Sequence, residues 1–138
     1  MKQRATAVWK GSLKEGSGKI TTHSKVLDGS EYSFKTRFEN GKGTNPDELL
    51  AAAHAGCFAM ALSNILGSKG YTPKSLQAEA AVTMDADKLE ITESHLTLKA
   101  DIPEIDNDKF MECASDAKEN CPMSKVLNCK ITLDAELL

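Results

Sequence analysis

The sequence is poor in aromatic residues and has no concentrated block of positive charge. Phe, Trp and Tyr make up 5% of its 138 residues, and its 17 Lys and Arg are scattered along a chain whose formal net charge is −3. A protein that binds nucleic acid needs a basic patch to neutralise phosphates. The charge pattern therefore argues against a nucleic-acid partner and disfavours a DNA-binding regulator.

The first residues also lack the apolar core of a signal peptide, because residues 1–4 lead directly into an alternating segment. We therefore expect a cytoplasmic protein. Residues 49–67 are nearly uncharged and approach membrane-spanning length, but they are rich in alanine and include His54, Ser63 and Asn64. A buried helix in a soluble protein explains this stretch better than a membrane span does.

The first forty residues show the patterns of β-strands. Residues 4–10 alternate with period two, residues 20–27 are rich in β-branched side chains, and residues 32–38 alternate again. Asp28-Gly29-Ser30 is a hairpin signal between the last two segments, and residues 11–18 read as a loop. We expect an antiparallel three-stranded meander that carries Arg37 on its third strand.

A long helix is predicted to follow. The segment Thr44-Asn45-Pro46-Asp47-Glu48 offers a capping residue, a first-turn proline and two acids that favour the positive end of a helix. The helix should run to about Lys69 and end at Gly70. Small and apolar residues cover nearly every face of it, as in a helix that is buried all round. We expect this long buried helix to be the central element of the fold.

The rest of the chain alternates between both types of element. Residues 76–84 and 89–100 predict a second hairpin, and an amphipathic helix from Asp106 should stop before Cys121-Pro122, because a residue that precedes proline disfavours helical geometry. A short helix and a strand at residues 130–137 complete the order βββ-α-ββ-α-α-β. This order predicts an α+β fold, and no linker interrupts a single domain over residues 1–138.

The four cysteines are the first candidates for chemistry, because in a chain without an export signal they are expected to be reduced and either reactive or metal-binding. Cys121 has a physical reason for reactivity, since the start of a helix offers free N–H groups that stabilise a thiolate. Cys57, inside the central helix, could equally be a small buried hydrophobe. His54 shares its helix face and could be a base, a metal ligand or a core residue. Cys113 is expected in the core, and neither it nor Cys129 receives a role.

Three charged residues could complete a site. Arg37 could keep a nearby thiolate ionised, or it could lie on a solvated face. Asp47 or Glu48 could orient its guanidinium, or both could serve only the helix start. Ten helical residues separate Asp47 from Cys57 by about 15 Å, so these two side chains do not touch along one straight helix. The residues therefore supply parts of a site whose assembly stays open.

Residues 43–63, GTNPDELLAAAHAGCFAMALS, resemble the OsmC family, the osmotically inducible relatives of the organic hydroperoxide resistance proteins. The resemblance continues in residues 32–38, 119–127 and 131–135, so it covers essentially the whole chain. It implies an intertwined α+β homodimer with two interface sites. By motif, Cys57 matches the peroxidatic cysteine, Cys121 the resolving cysteine and Arg37 the arginine. Asp47 stands where relatives usually have Glu, and Glu48 is its possible substitute.

The resemblance further implies a thiol peroxidase for organic hydroperoxides, with hydrogen peroxide as an open question. The Cys57 thiolate would form a sulfenic acid, Cys121 would convert it to a disulfide, and an external dithiol of lipoyl or thioredoxin type would reduce that disulfide. No metal and no bound cofactor are expected, and Phe58, Met60 and Leu62 could form an apolar wall. Two alternatives are a non-catalytic redox switch that uses the same cysteine pair and a metal-binding protein that uses His54, Cys57 and Cys121.

Overall fold

The computed structural model describes all 138 residues, and the chain divides into two compact units, Met1–Leu49 and Leu50–Leu138. The elements in chain order are β1 (Ala5–Lys10), β2 (Ser17–Thr22), β3 (Ser30–Tyr32), α1 (Phe34–Phe38), α2 (Pro46–Ser68), β4 (Ser75–Asp85), β5 (Glu90–Asp101), α3 (Asn107–Asn120), α4 (Pro122–Val126) and β6 (Lys130–Leu137). The predicted α+β class is confirmed, and α1 is the one added element.

The first unit contains the predicted antiparallel meander, with strand order β1-β2-β3. Strand β2 begins at Ser17 and ends at Thr22, earlier than the expected residues 20–27. A side-chain hydrogen bond explains the early end, because the backbone N–H of Leu27 donates to Thr22 Oγ1 at 3.1 Å and closes a loop after the strand. In such an arrangement the threonine hydroxyl competes with the strand ladder for backbone partners.

The expectation that residues 32–38 form a strand is wrong. Strand β3 ends at Tyr32, and Arg37 lies on the short helix α1. Ser33 caps this helix, because its hydroxyl accepts a hydrogen bond from the N–H of Thr36 and its own N–H donates to Thr36 Oγ1 at 2.8 Å. This reciprocal capping box stabilises a helix start and outweighs the alternating pattern.

Helix α2 starts and ends where the sequence predicts, within one residue. The side chain of Asn45 caps its start, since Asn45 Oδ1 accepts from the N–H of Glu48 at 2.8 Å. The amide of Asn45 also donates to the carbonyl of Thr36 at 2.8 Å, which ties α1 to the beginning of α2. Gly70 has a φ of +88° just beyond the helix, a conformation that favours glycine at a helix end.

Burial of α2 on every face is not observed within one chain. Only one stripe is buried, with one member at every fourth residue: His54, Phe58, Leu62 and Leu66. Met60, on another face, is 77% exposed. By length and composition α2 is able to cross a membrane, a test that the core helix of a soluble protein also passes. Small and apolar residues therefore also lie on a face of α2 that is exposed in the single chain. We call this the open face of α2.

The second unit holds a three-stranded sheet in the order β4-β5-β6. The predicted hairpin of β4 and β5 is confirmed, while β5 and β6 run parallel, with α3 and α4 in the connection between them. The core combines the buried stripe of α2 with residues of β5 and α3, namely Leu96, Leu98, Ala100, Phe110, Cys113, Ala114 and Ala117. Helix α3 ends at Asn120, and Cys121 is extended before its proline, as predicted.

Candidate active site

The charged candidates lie in the first unit and form one ion pair. Arg37 Nε donates to Asp47 Oδ2 and Arg37 Nη2 donates to Asp47 Oδ1, both at 3.3 Å. The two side chains are 36% and 15% exposed. A two-point contact of this type fixes the orientation of a guanidinium plane better than a single contact does.

Glu48 has a different partner. Its carboxylate accepts a hydrogen bond from Thr44 Oγ1 at 2.7 Å. This contact spans one helical turn at the beginning of α2. Of the two adjacent acids, Asp47 is the one that contacts Arg37.

An apolar pocket of about 280 Å³ borders Arg37 in the first unit. Aromatic and aliphatic side chains supply most of its wall: Trp9, Leu13, Tyr32, Phe34, Phe38 and Pro46. The guanidinium carbon of Arg37 lies 5.7 Å from the centroid of the Phe38 ring, within the range of a cation–π contact. The expected apolar wall of Phe58, Met60 and Leu62 is not observed, since Phe58 and Leu62 are core residues and Met60 faces solvent.

The two cysteines that the sequence singled out meet in the second unit. Cys57 and Cys121 are free thiols, and their side chains are close enough to hydrogen bond. Cys57 is partly exposed, whereas Cys121 is fully buried. The fold thus brings together two sulfur atoms that are far apart in the sequence.

The surroundings of Cys57 in this unit favour the neutral thiol. Burial is the largest effect and raises the pKa of Cys57. A hydrogen bond from the backbone N–H of Met123 acts in the opposite direction, and the neighbouring Cys121 raises the pKa further. In these surroundings the neutral thiol is therefore favoured over the thiolate, which is the stronger nucleophile.

Cys121 lies between α3 and α4 and caps the second of these helices, as the sequence predicts. Its sulfur accepts a hydrogen bond from the N–H of Ser124 at 3.4 Å. The same sulfur is 3.1 Å from the hydroxyl oxygen of Ser124. Ser124 is itself buried, at 8% exposure, so this contact is largely shielded from water.

His54 is fully buried on α2 and has a hydroxyl on each side of its ring. Its Nδ1 lies 2.6 Å from Ser94 Oγ, and its Nε2 lies 2.9 Å from Ser124 Oγ. Burial lowers the pKa of His54, so the ring is neutral near pH 7. The sequence identified His54 but missed both serines. Ser124 could have been found because it follows Cys121 by three residues in a short helix, whereas no sequence signal connects Ser94 on β5 to His54.

The other two cysteines have separate environments. Cys113 is in the core, as predicted. Cys129 is partly exposed and accepts a hydrogen bond from the N–H of Ser94, although burial is the larger effect and raises its pKa. The structure brings together no group of three His, Cys, Asp or Glu side chains that could hold a metal ion.

Comparison with known proteins identifies the family. The model of OsmC-like proteins matches residues 39–136. The chain is 44% identical over 137 residues to peroxiredoxin OsmC of Escherichia coli K12, a match that covers 98% of this chain and 96% of the relative. The chain belongs to the OsmC family. It is also 30% identical over 122 residues to the organic hydroperoxide resistance protein OhrB of Bacillus subtilis 168, with 88% and 89% of the two chains covered.

Solved structures of this family share the fold. The OsmC-like protein of Mycoplasma pneumoniae superposes with a TM-score of 0.76 at 18% identity and covers 100% of this chain and 98% of its own. The crystal structure of OhrB from Bacillus subtilis gives a TM-score of 0.65 at 24% identity, with 98% of each chain covered. The α+β arrangement of this OsmC-family protein is therefore that of its structural neighbours.

Proposed function

We propose that this OsmC-family protein is a cysteine-based peroxidase that reduces organic hydroperoxides to alcohols. The names of its relatives, peroxiredoxin OsmC and organic hydroperoxide resistance protein, support a peroxidase role in general. The observation that carries the finer proposal is the contact between the thiols of Cys57 and Cys121. A disulfide requires two neighbouring sulfurs, and this contact supplies such a pair.

The reaction proceeds in three steps. The Cys57 thiolate attacks the distal oxygen of the hydroperoxide, the O–O bond breaks, and the departing alkoxide takes a proton and leaves as an alcohol. Cys57 becomes a sulfenic acid. The sulfur of Cys121 then attacks the Cys57 sulfur and displaces hydroxide, which leaves as water. An external dithiol, of lipoyl or thioredoxin type, reduces the disulfide by exchange and is itself oxidised.

Arg37 and Asp47 have a proposed role in the first step, which rests on the family resemblance. Because burial raises the pKa of Cys57, a guanidinium that stabilises the thiolate would lower that pKa and increase the reactive fraction. The two-point contact with Asp47 would hold the guanidinium in one orientation. Asp47, and not Glu48, is the proposed acid, since Glu48 is engaged by Thr44.

The apolar pocket beside Arg37 is the proposed site for the alkyl group of the substrate. Most of its wall is apolar, and its volume of about 280 Å³ suits a small organic group. Hydrogen peroxide offers no apolar surface to such a pocket. We therefore propose a preference for alkyl hydroperoxides over hydrogen peroxide.

We further propose that the protein is a cytoplasmic homodimer in which both units act as a single domain. The open face of α2 supports self-association, because Met60 and the neighbouring small residues would otherwise leave an apolar helix surface in water. A second copy of the chain is the simplest partner for that surface.

Steady-state peroxide consumption tests the proposed function. Cumene hydroperoxide and hydrogen peroxide are compared at equal concentration, with a lipoyl-protein system, a thioredoxin system or glutathione as reductant. Many turnovers per protein, faster with the organic substrate and with a dithiol, are expected. A redox switch that uses the same cysteines would consume about one equivalent and then be reduced slowly, and that outcome would refute an enzymatic function.

A further inference from the structure

Four side chains of the second unit form one continuous chain of hydrogen bonds that ends at the sulfur of Cys121. Ser94 Oγ is 2.6 Å from His54 Nδ1, His54 Nε2 is 2.9 Å from Ser124 Oγ, and Ser124 Oγ is 3.1 Å from Cys121 Sγ. We call these four residues the relay. They come from β5, α2, α4 and the junction of α3 and α4, so the tertiary fold assembles them.

Two opposite assignments of protons satisfy every link, and in one of them Cys121 is a donor. If the neutral His54 carries its proton on Nδ1, it donates to Ser94 Oγ and accepts at Nε2 from the hydroxyl of Ser124. The oxygen of Ser124 is then free to accept from the thiol of Cys121. In this direction His54 Nε2 is the base that finally accepts a proton that starts on Cys121 and passes through Ser124.

We propose that the relay activates Cys121 for disulfide formation, with Ser124 as the group that receives the thiol proton and His54 as the positioning residue that acts as base through it. This inference rests on the proposed peroxidase function and assigns residues to its second step.

The proton balance closes without any additional reactant. As the Cys121 thiol gives its proton to Ser124 Oγ, the hydroxyl proton of Ser124 moves to His54 Nε2, and the sulfur of Cys121 forms a bond to the sulfur of the Cys57 sulfenic acid. The S–O bond breaks, and the departing hydroxide receives the proton back from His54 through Ser124. The products are a disulfide, one water molecule and a neutral imidazole.

Buried thiols need such help more than exposed ones. Cys121 has no exposure to solvent, so hydroxide and buffer bases do not reach it easily. Burial lowers the pKa of His54 and thereby keeps the ring unprotonated and able to accept a proton near neutral pH. A protonated imidazole is unfavourable in this buried site, because a charged group loses its hydration there. The ring would therefore return the proton quickly.

The relay has few charged neighbours. The titratable groups next to it are the thiol of Cys57 on α2 and the thiol of Cys129, which accepts from the N–H of Ser94. Ser124 borders a pocket of about 220 Å³ that is also lined by Lys118 and Glu119, whose charged atoms are 3.6 Å apart. This pocket brings polar surroundings up to Ser124, between His54 and Cys121 in the relay.

The test separates the two chemical steps by rapid quench. Reduced protein receives one equivalent of cumene hydroperoxide, and alkylation with mass spectrometry measures the sulfenic acid and the disulfide over time. In His54→Gln, which fills the site but does not accept a proton, sulfenic acid should form at the rate of the unaltered protein. Disulfide formation at pH 7 should slow about 10²-fold, the lower end of the effect of general acid–base catalysis.

The pH profile distinguishes a base from a merely structural histidine. With His54 in place, the rate of disulfide formation should be flat above pH 6.5, the ordinary histidine pKa, because burial lowers that pKa further. In His54→Gln it should rise about tenfold per pH unit, because free hydroxide becomes the base. A flat profile in the variant would overturn the inference.

Two further variants guard against a folding defect at a buried residue. Ser124→Ala should show the same slow, pH-dependent disulfide step, and Ser124→Thr, which keeps the hydroxyl, should restore it. His95→Gln alters a histidine on β5 that contacts Thr132 and Asp134 outside the relay, and should leave both steps unchanged. Unaltered protein that consumes no hydroperoxide would refute the proposed function. Normal consumption, with unchanged disulfide formation in His54→Gln and Ser124→Ala, would refute the relay alone.

Discussion

Arg37 and Asp47 in the first unit carry charges and keep contact with solvent, whereas the polar groups around Cys57 and Cys121 in the second unit are largely buried. Charged groups are costly to bury, and burial raises the pKa of Cys57 and lowers that of His54, so both are held neutral. The two units therefore offer different chemistry. The first offers an ion pair, and the second offers neutral thiols beside a buried, uncharged imidazole.

The largest expected effect comes from the sulfurs themselves. Cys57→Ser should abolish peroxide turnover, because the hydroxyl is a far weaker nucleophile than a thiolate. Cys121→Ser should consume about one equivalent of cumene hydroperoxide and then stall, because no second sulfur is available to convert the Cys57 sulfenic acid to a disulfide. Stopped-flow assays with a dithiol reductant measure both.

Cys113→Ala is the matched control for these variants, because it removes a buried thiol of the core outside the proposed site. It should keep multiple-turnover activity. Continued turnover of Cys57→Ser would show that the attacking sulfur is elsewhere.

The charged pair should have the next largest effect. Arg37→Ala should slow sulfenic acid formation about 10²-fold, in the range seen when one preorganised electrostatic donor is removed. Asp47→Asn should slow it by less, about tenfold, because the guanidinium remains but loses its two-point orientation. Rates are compared under single-turnover conditions.

Glu48→Gln is the control for Asp47→Asn, since it changes the adjacent acid that contacts Thr44. It should behave as the unaltered protein does. A larger loss in Glu48→Gln than in Asp47→Asn would reverse the assignment of the acid.

A third prediction concerns the buried and open faces of α2. Met60→Asp places a charge on the open face and should weaken self-association at least about tenfold, because an unpaired charge is costly to bury in an interface. Analytical ultracentrifugation over a range of concentrations measures the shift towards monomer. Leu89→Asp, in the exposed turn after β4 and 73% exposed in this chain, is the control and should leave the association unchanged. An unaltered protein that is monomeric at all concentrations would contradict the homodimer.

The smallest expected effect is on how the free energy of unfolding depends on pH. The pKa of His54 lies below its ordinary value of 6.5 in the folded protein. The unfolded chain therefore binds a proton first as the pH falls, and the contribution of His54 to stability is present above pH 6.5 and lost as the pH falls through the folded pKa. The free energy of unfolding in urea should decrease below pH 6.5 by at most about 1.4 kcal/mol per pH unit from this group.

The variant His54→Gln should lack this component of the pH slope. His95→Gln provides the comparison, because it replaces a histidine whose ring contacts Thr132 and Asp134, outside the relay. Equal slopes in both variants and the unaltered protein would show that burial of His54 is not coupled to its protonation.

Much of the fold could be predicted from the sequence, because local signals agree with tertiary structure in most of the chain. The proline and cap at the start of α2, the turn after β4 and the Cys121-Pro122 boundary each fix an element end. The prediction of a strand at residues 32–38 was wrong, because the reciprocal hydrogen bonds of Ser33 and Thr36 favour a helix more strongly than the alternating pattern favours a strand. The parallel pairing of β5 with β6 depends on contacts that no local pattern records.

The candidate site was predictable in its residue types and not in its arrangement. Motif resemblance selected Cys57, Cys121, Arg37 and Asp47, and the contact of each pair is then visible in the structure. The hydroxyl partners of His54 were missed because serine is common and because Ser94 is forty residues away in sequence. Such contacts arise from packing of distant elements, so periodicity and spacing carry no information about them.

Peptide mapping of the oxidised protein tests the proposed pairing of Cys57 with Cys121. After one equivalent of cumene hydroperoxide, alkylation of the remaining thiols and proteolysis, mass spectrometry should find a single disulfide that links the Cys57 peptide to the Cys121 peptide, with Cys113 and Cys129 alkylated. A link between Cys113 and Cys129, or four alkylated cysteines after the hydroperoxide has been consumed, would contradict the account.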